Sequence, residues 1–265
     1  PLRIAEAVLL LVAAMGLMFA TMGLGAALTM VRHGISWEHA SQAVSTDPLT
    51  LGVAQLVALG VALIVGAARA RPDVSVREAV SLEPTTLRAV ALATLAGLCL
   101  QFSLAELGNV VSQLVPALAP SEQEEASIAA ATRIDGPLRA ITVTFAFVIV
   151  APVTEELLFR GLLLSALRAR IGTAGALLFT AILFGLFHLV PPAVVYATIA
   201  GALLGWVFLR TGSVVPALAM HAANNAVGVL LPAELVPIPG LNTEGDHVPL
   251  PLVIATTIGV IIALA

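Results

Sequence analysis

Near the middle of the chain, inside an apolar stretch, lies Glu155-Glu156-Leu157-Leu158-Phe159-Arg160. Each ionisable group at membrane depth costs about 2.5–3.5 kcal/mol on insertion scales, so such a cluster must pair, face a protein interior or do chemistry. Two other apolar runs carry polar insertions, Phe184-Gly185-Leu186-Phe187-His188 and His221-Ala222-Ala223-Asn224-Asn225. On a helix, residues four apart share a face, while neighbours are turned by about 100°. Glu156 and Arg160 are therefore placed to form an ion pair. Glu155 points toward the side of Phe159 and has no partner in its own helix. With one glutamate locked and the other free, Glu155 is the better candidate for a general base, which must take a proton from water or a reacting group. His221 and Asn225 share a face and present two side chains to one point, with Asn224 able to stand in for Asn225. Phe184 and His188 share a face too, placing the ring beside the imidazole.

The elements that carry these residues follow from composition. Of 265 residues, 59% are hydrophobic and only 11% charged, against roughly 25% charged in soluble domains. Several uncharged apolar runs reach the ~20 residues needed to cross a bilayer. The fold class expected is an all-α polytopic membrane protein, one domain over residues 1–265, with about eight transmembrane helices around an intramembrane polar cavity. The helices are expected at Ile4–Val31, Leu49–Arg69, Leu87–Gly108, Leu138–Arg168, Ala174–Leu189, Val194–Leu209, Val214–Leu231 and Val248–Ala265. Pro191-Pro192 is expected to stop the fifth, and Pro232, Pro237 and Pro239 to fill the loop before the eighth. The first run is too long for a signal-peptide core. The chain begins at Pro1, not Met, and stops within an apolar run, so both ends are expected to be incomplete. The one cysteine, Cys99, is read as a small core residue.

Residues 110–137 form a loop in which Ser121-Glu122-Gln123-Glu124 reads as a capping box opening a short acidic interfacial helix, Glu122–Arg133. A lid or substrate gate is the sharper reading of it. Gly201-x-x-x-Gly205 permits close helix contact and is read as internal packing rather than dimerisation. The net charge of −4 implies no nucleic-acid partner. The expected partners are the lipid bilayer and a protein or peptide substrate.

Arginine placement predicts orientation. Arg69, Arg71, Arg77, Arg88, Arg168, Arg170 and Arg210 follow the even-numbered helices, whereas only Arg32, Arg133 and Arg139 follow the odd-numbered ones. The second group of loops also holds most acids, among them Glu38, Asp47, Glu122, Glu124, Glu125, Asp135, Glu234, Glu244 and Asp246. Both termini are therefore expected in the cytoplasm. All twelve basic residues are Arg, a bias expected of a GC-rich bacterial genome, which suggests the inner membrane as the location. At 1.5 Å per residue, Glu155, His221 and His188 lie about 20, 16 and 27 Å from the cytoplasmic arginines, so His188 is expected somewhat deeper than the other two.

Glu-Glu-x-x-x-Arg, then Phe-x-x-x-His, then His-x-x-x-Asn, in that order on membrane helices, resembles the CAAX prenyl endopeptidase and bacteriocin-processing (Abi) family of glutamic intramembrane proteases. The resemblance spans about residues 138–231, the expected catalytic core, and leaves the first three helices and the last without a matching motif. It implies an eight-helix core with a conical, water-accessible cavity. It implies that Glu155, assisted by His188, activates a water, that His221 and Asn225 stabilise the oxyanion, and that Glu156 and Arg160 orient the site, with Phe184 beside them. The implied function is an intramembrane endopeptidase, without cofactor or metal, cutting near the C-terminus or leader of its substrate.

Three other classes use similar residues. Glu155, His188 and His221 could form a zinc triad of the two-His, one-carboxylate type, although no His-Glu-x-x-His motif is present. Family members are linked to bacteriocin immunity and scaffolding, which need no catalysis. Proton-coupled transporters also bury Glu, His and Arg but often show inverted repeats, and none is evident here. No Gly-x-Gly-Asp marks an aspartyl site, and Ser213 has no serine-protease context.

Overall fold

The computed structural model describes residues 2–70, 73, 75–231, 233, 236–243 and 245–265. Arg71, Glu234, Glu244 and Pro232, used above for orientation and loop assignment, lie outside them. Among the described residues there is no β-strand, only an isolated bridge between Pro239 and Thr243. The helices in chain order are α1 (Ile4–His33), α2 (Trp37–Ser45), α3 (Pro48–Ala70), α4 (Val76–Ala79), α5 (Leu87–Leu114), α6 (Glu122–Thr132), α7 (Pro137–Val143), α8 (Ala151–Glu156), α9 (Ser165–Leu186), α10 (Pro191–Thr211), α11 (Val214–Leu230) and α12 (Leu250–Leu264). Two π-helical stretches, Thr144–Val150 and Leu157–Leu164, join α7 to α8 and α8 to α9. Residues 137–186 thus form one long helical run, broken at Gly172 (φ 72°, ψ 170°).

Among the described residues, five helices are long and apolar enough to cross a membrane: Ile4–His33, Pro48–Ala70, Leu87–Leu114, the run Pro137–Leu186 and Pro191–Thr211. α11 and α12 are shorter apolar helices. The run from Pro137 holds two of the eight expected segments, one on each side of Gly172. The chain is an integral membrane protein, and it exposes many large apolar side chains, such as Leu9, Leu28, Ile64 and Ile262, on faces suited to lipid.

Two boundaries differ from expectation. Pro191-Pro192 does not stop the preceding helix. α9 has already ended at Leu186, Leu189 adopts φ 63°, and the two prolines fill the first turn of α10, where their missing N–H groups have no helical partner to lose. His188 accordingly lies in a turn beyond α9, not on a helix. The second difference is α2, a nine-residue helix missed because it is short. Ser36 caps it by accepting from His39 N, and Ala40 and Val44 pack on Ala26.

The core lies where α3, α8, α9, α10 and α11 surround the stretch from Leu157 to Leu164. Leu158, Phe159, Leu162, Leu163 and Leu164 are all essentially buried there. Small residues allow the close approaches. A Cβ on Gly201 would lie 3.1 Å from the Phe184 ring, and one on Gly205 would meet Leu177, so this pair packs α10 on α9 within one chain. Cys99 on α5 is half-buried against Gly259 of α12.

Candidate active site

Glu155 and Glu156 end α8, both buried, and the structure divides their contacts. Oε1 of Glu156 accepts hydrogen bonds from Nη1 of Arg160 at 2.6 Å and from Nδ1 of His221 at 2.8 Å. Its Oε2 is buried and has no hydrogen-bond partner among the described residues. Arg160, itself buried, also donates from Nη2 to the Gly201 carbonyl at 3.1 Å, and its guanidinium lies 4.2 Å from the centroid of the Phe184 ring. The ion pair between Glu156 and Arg160 is therefore formed as the four-residue spacing implied.

Phe184 is the hub of this cluster. Its ring meets Phe159 edge-on at 5.2 Å, His188 at 5.0 Å and His221 at 5.8 Å. Aromatic rings carry a negative face and a positive edge, so one face can take a cation while the rim takes further rings.

His221 is oriented by Glu156. When Nδ1 donates to that carboxylate, Nε2 is an acceptor in the neutral ring and a donor in the protonated one. Nε2 lies 3.9 Å from Oε2 of Glu155. That distance is too long for a direct hydrogen bond, yet an oxygen atom placed to one side of the gap can lie about 2.8 Å from both groups. The site thus offers two proton-transfer groups to one small oxygen.

Glu155 is not without a partner. Nε2 of Gln55, from α3, donates to its Oε1 at 2.7 Å. Sequence reasoning missed this residue, although a carboxamide inside the apolar run Pro48–Ala70 was a legible signal. The other polar residues fall around the same space. Nδ1 of His188 donates to the Phe184 carbonyl at 2.9 Å, so its hydrogen bond goes to backbone and not to Glu155. Asn225 donates from Nδ2 to the Phe147 carbonyl at 2.9 Å, within the first π-helical stretch. Nδ2 of Asn224 donates weakly to Oδ1 of Asn225 at 3.4 Å, and Oδ1 of Asn224 is buried with no hydrogen-bond partner among the described residues. His221 and Asn225 are therefore not a bare pair aimed at one point, since each already holds a polar partner.

Glu155 and the polar residues around it line one cavity of about 740 Å³, whereas Glu156 and Arg160 are not part of its wall. Gln55, Glu155, His188, His221, Asn224 and Asn225 form its polar wall. Leu100, Leu104, Ala197, Ala200, Leu204 and Met220 form an apolar one. Ile128 and Thr132 of α6 reach the same cavity, as do Pro120 and Leu241. His188 shares this space with Glu155 and His221 despite its greater expected depth. Among the described residues no three of His, Cys, Asp and Glu are grouped so as to hold a metal ion, and Glu155, His188 and His221 do not form such a set.

A buried carboxylate pair, two imidazoles and a mixed polar and apolar cavity within a helical membrane protein define a candidate hydrolase site. Residues 137–227 match the family described as Rce1-like: Type II CAAX prenyl endopeptidase Rce1-like. Over that segment the chain is similar to a CAAX-type membrane endopeptidase family, a likeness that supports a peptidase with a protein or peptide substrate. No curated protein and no solved structure matches the chain.

Proposed function

We propose that the protein is a glutamic-type intramembrane endopeptidase in which Glu155 is the general base. The observation that carries this reading is the division of labour between adjacent carboxylates. Glu156 is consumed by Arg160 and His221, whereas Glu155 lines the cavity with its Oε2 3.9 Å from Nε2 of His221. Glu155 takes a proton from water as the water oxygen bonds to the scissile carbonyl carbon. The same proton then passes to the leaving amine as the carbon–nitrogen bond breaks. Donors for the developing oxyanion come from His221 in its protonated form and from the carboxamides of Asn224 and Asn225, with His188 assisting at the cavity wall. A preorganised donor of this kind is worth about 3–4 kcal/mol in other hydrolases.

The catalytic core is assigned to about residues 138–231, α6 to the membrane interface, and the chain to eight membrane passes with both termini in the cytoplasm of a bacterium. The cavity reaches α6 and the loop near Leu241, on the arginine-poor side. A substrate entering there resembles the C-terminal tail of an exported protein more than a cytoplasmic leader.

The test is cleavage of a pool of quenched-fluorescent apolar peptides by purified protein in detergent. Wild type is compared with Glu155→Gln and with wild type plus a strong zinc chelator. Cleavage lost in Glu155→Gln and kept with chelator is the expected result. Loss with chelator that zinc restores would move the assignment to a metal-assisted reaction. Full activity of Glu155→Gln would remove the proteolytic reading.

A further inference from the structure

Gln55 stands outside the segment that matches the family, on a helix that carries no motif of it. Its place is nevertheless built into α3. Gly52, Gln55, Leu59, Ala62 and Gly66 follow one another at intervals of three and four, so they lie on one face of that helix. All but Gln55 are buried, and Gln55 itself is half-buried. The two glycines set the approach of α3 to the catalytic run. A Cβ on Gly52 would stand 3.1 Å from Cα of Ala146, and one on Gly66 would stand 2.6 Å from Leu162. Between those contacts the carboxamide of Gln55 is carried to within 2.7 Å of Oε1 of Glu155.

We propose that Gln55 is a positioning residue for Glu155, so that the site is incomplete without α3; this rests on the reading of Glu155 as the base. A carboxylate has two equivalent oxygens and a flexible stem. The amide donor fixes one oxygen and leaves Oε2 on the side of His221, 3.9 Å from its Nε2. Gln55 thereby selects which oxygen takes the proton, and it holds the carboxylate in place before substrate arrives. Small displacements of a catalytic group have large kinetic effects, up to about 100-fold for roughly 1 Å.

The test uses the full chain in detergent and the best-cleaved peptide of the quenched-fluorescent pool. Gln55→Met keeps length and removes the donor. The expected result is a kcat about 10- to 100-fold lower with KM nearly unchanged and an unchanged melting midpoint. A second variant exchanges the partners, Gln55→Glu with Glu155→Gln. It retains an amide–carboxylate contact and is expected to melt like wild type while remaining inactive. Isotope-edited infrared spectra supply a readout that needs no peptide. The carboxylate band lost in Glu155→Gln should move in Gln55→Met, and an unmoved band would overturn the assignment. Unchanged kcat in Gln55→Met, with Glu155→Gln inactive, would overturn this inference alone. Activity in Glu155→Gln would instead overturn the reading on which it rests. A parallel fall of kcat and melting midpoint in Gln55→Met, with the midpoint alone recovered in the exchanged pair, would make the contact structural.

Discussion

Nδ1 of His221 lies 2.8 Å from Oε1 of Glu156 and joins two helices 65 residues apart in sequence. The same oxygen receives Arg160, so one carboxylate compensates a buried guanidinium and orients an imidazole. Removing one partner of a buried ion pair leaves an uncompensated charge, typically about 3–5 kcal/mol. Glu156→Gln should therefore lower stability by about that amount, read as a fall in the melting midpoint in detergent. Glu155→Gln should melt close to wild type and lose about 100- to 10,000-fold in cleavage rate, the usual scale of a general base. Equal melting of the two variants would contradict the division of labour.

Phe184 touches Arg160, Phe159, His188 and His221 through one ring. Phe184→Leu keeps an apolar side chain of similar size and loses these ring contacts together. A desolvated cation–π contact and the aromatic pairs combine to about 2–3 kcal/mol. The variant should melt lower and cleave more slowly, because both imidazoles lose a wall. Denaturation and cleavage measured on one preparation would check both effects.

The polar set was legible because few reasons exist to place Glu155, Glu156, Arg160, His188 and His221 in apolar stretches of sequence, and four-residue spacing gave the ion pair directly. Its partners across the fold were not legible. Gln55 lies 100 residues from Glu155, and no local periodicity reports a contact at that separation. The bond from Asn225 to the Phe147 carbonyl depends on a π-helical stretch that the 3.6-residue period does not anticipate. The prolines at 191 and 192 misled for a local reason. Proline ends a helix or begins one, and only the backbone at Leu189 decides between them.

α6 is held by a charged cap. The backbone N–H of Ser121, and then its hydroxyl, hold the Glu124 carboxyl below its ordinary value of 4.5. A carboxylate lowered in the folded state contributes stability that is present above its unfolded value and lost as pH falls through the folded one. The first turn of α6 should therefore keep its amide protection at neutral pH and lose it as pH falls below 4.5 and through the lowered value of Glu124. Hydrogen exchange at Glu124 and Glu125 measures this, and Glu124→Gln should abolish the pH dependence.

Orientation can be read by labelling. Gln123 on α6 and Arg88 at the start of α5 are exposed at opposite ends of the α5 span. In a Cys99→Ser background, Gln123→Cys should react with an impermeant maleimide added to intact cells. Arg88→Cys should react only after permeabilisation, as the positive-inside rule requires. The reverse pattern would place the α6 end of the cavity in the cytoplasm and favour leader peptides as substrates.

The final prediction concerns two glycines whose surroundings differ. A Cβ on Gly97 of α5 would collide with the carbonyl oxygen of Met220, the residue before His221, and would stand 3.0 Å from Cβ of Ala223. The nearest obstacle is backbone, so Gly97→Ala must push α11 away from α5. Overpacking of this kind costs about 1–3 kcal/mol. Because α11 carries His221, Asn224 and Asn225, cleavage should fall further than stability alone explains. A Cβ on Gly60, within α3, would meet nothing within 4 Å. Gly60→Ala should raise stability by about 0.5–1 kcal/mol through helix propensity and leave cleavage unchanged. Melting and kinetics on the two variants separate the close contact that places His221 from the general cost of glycine in a helix.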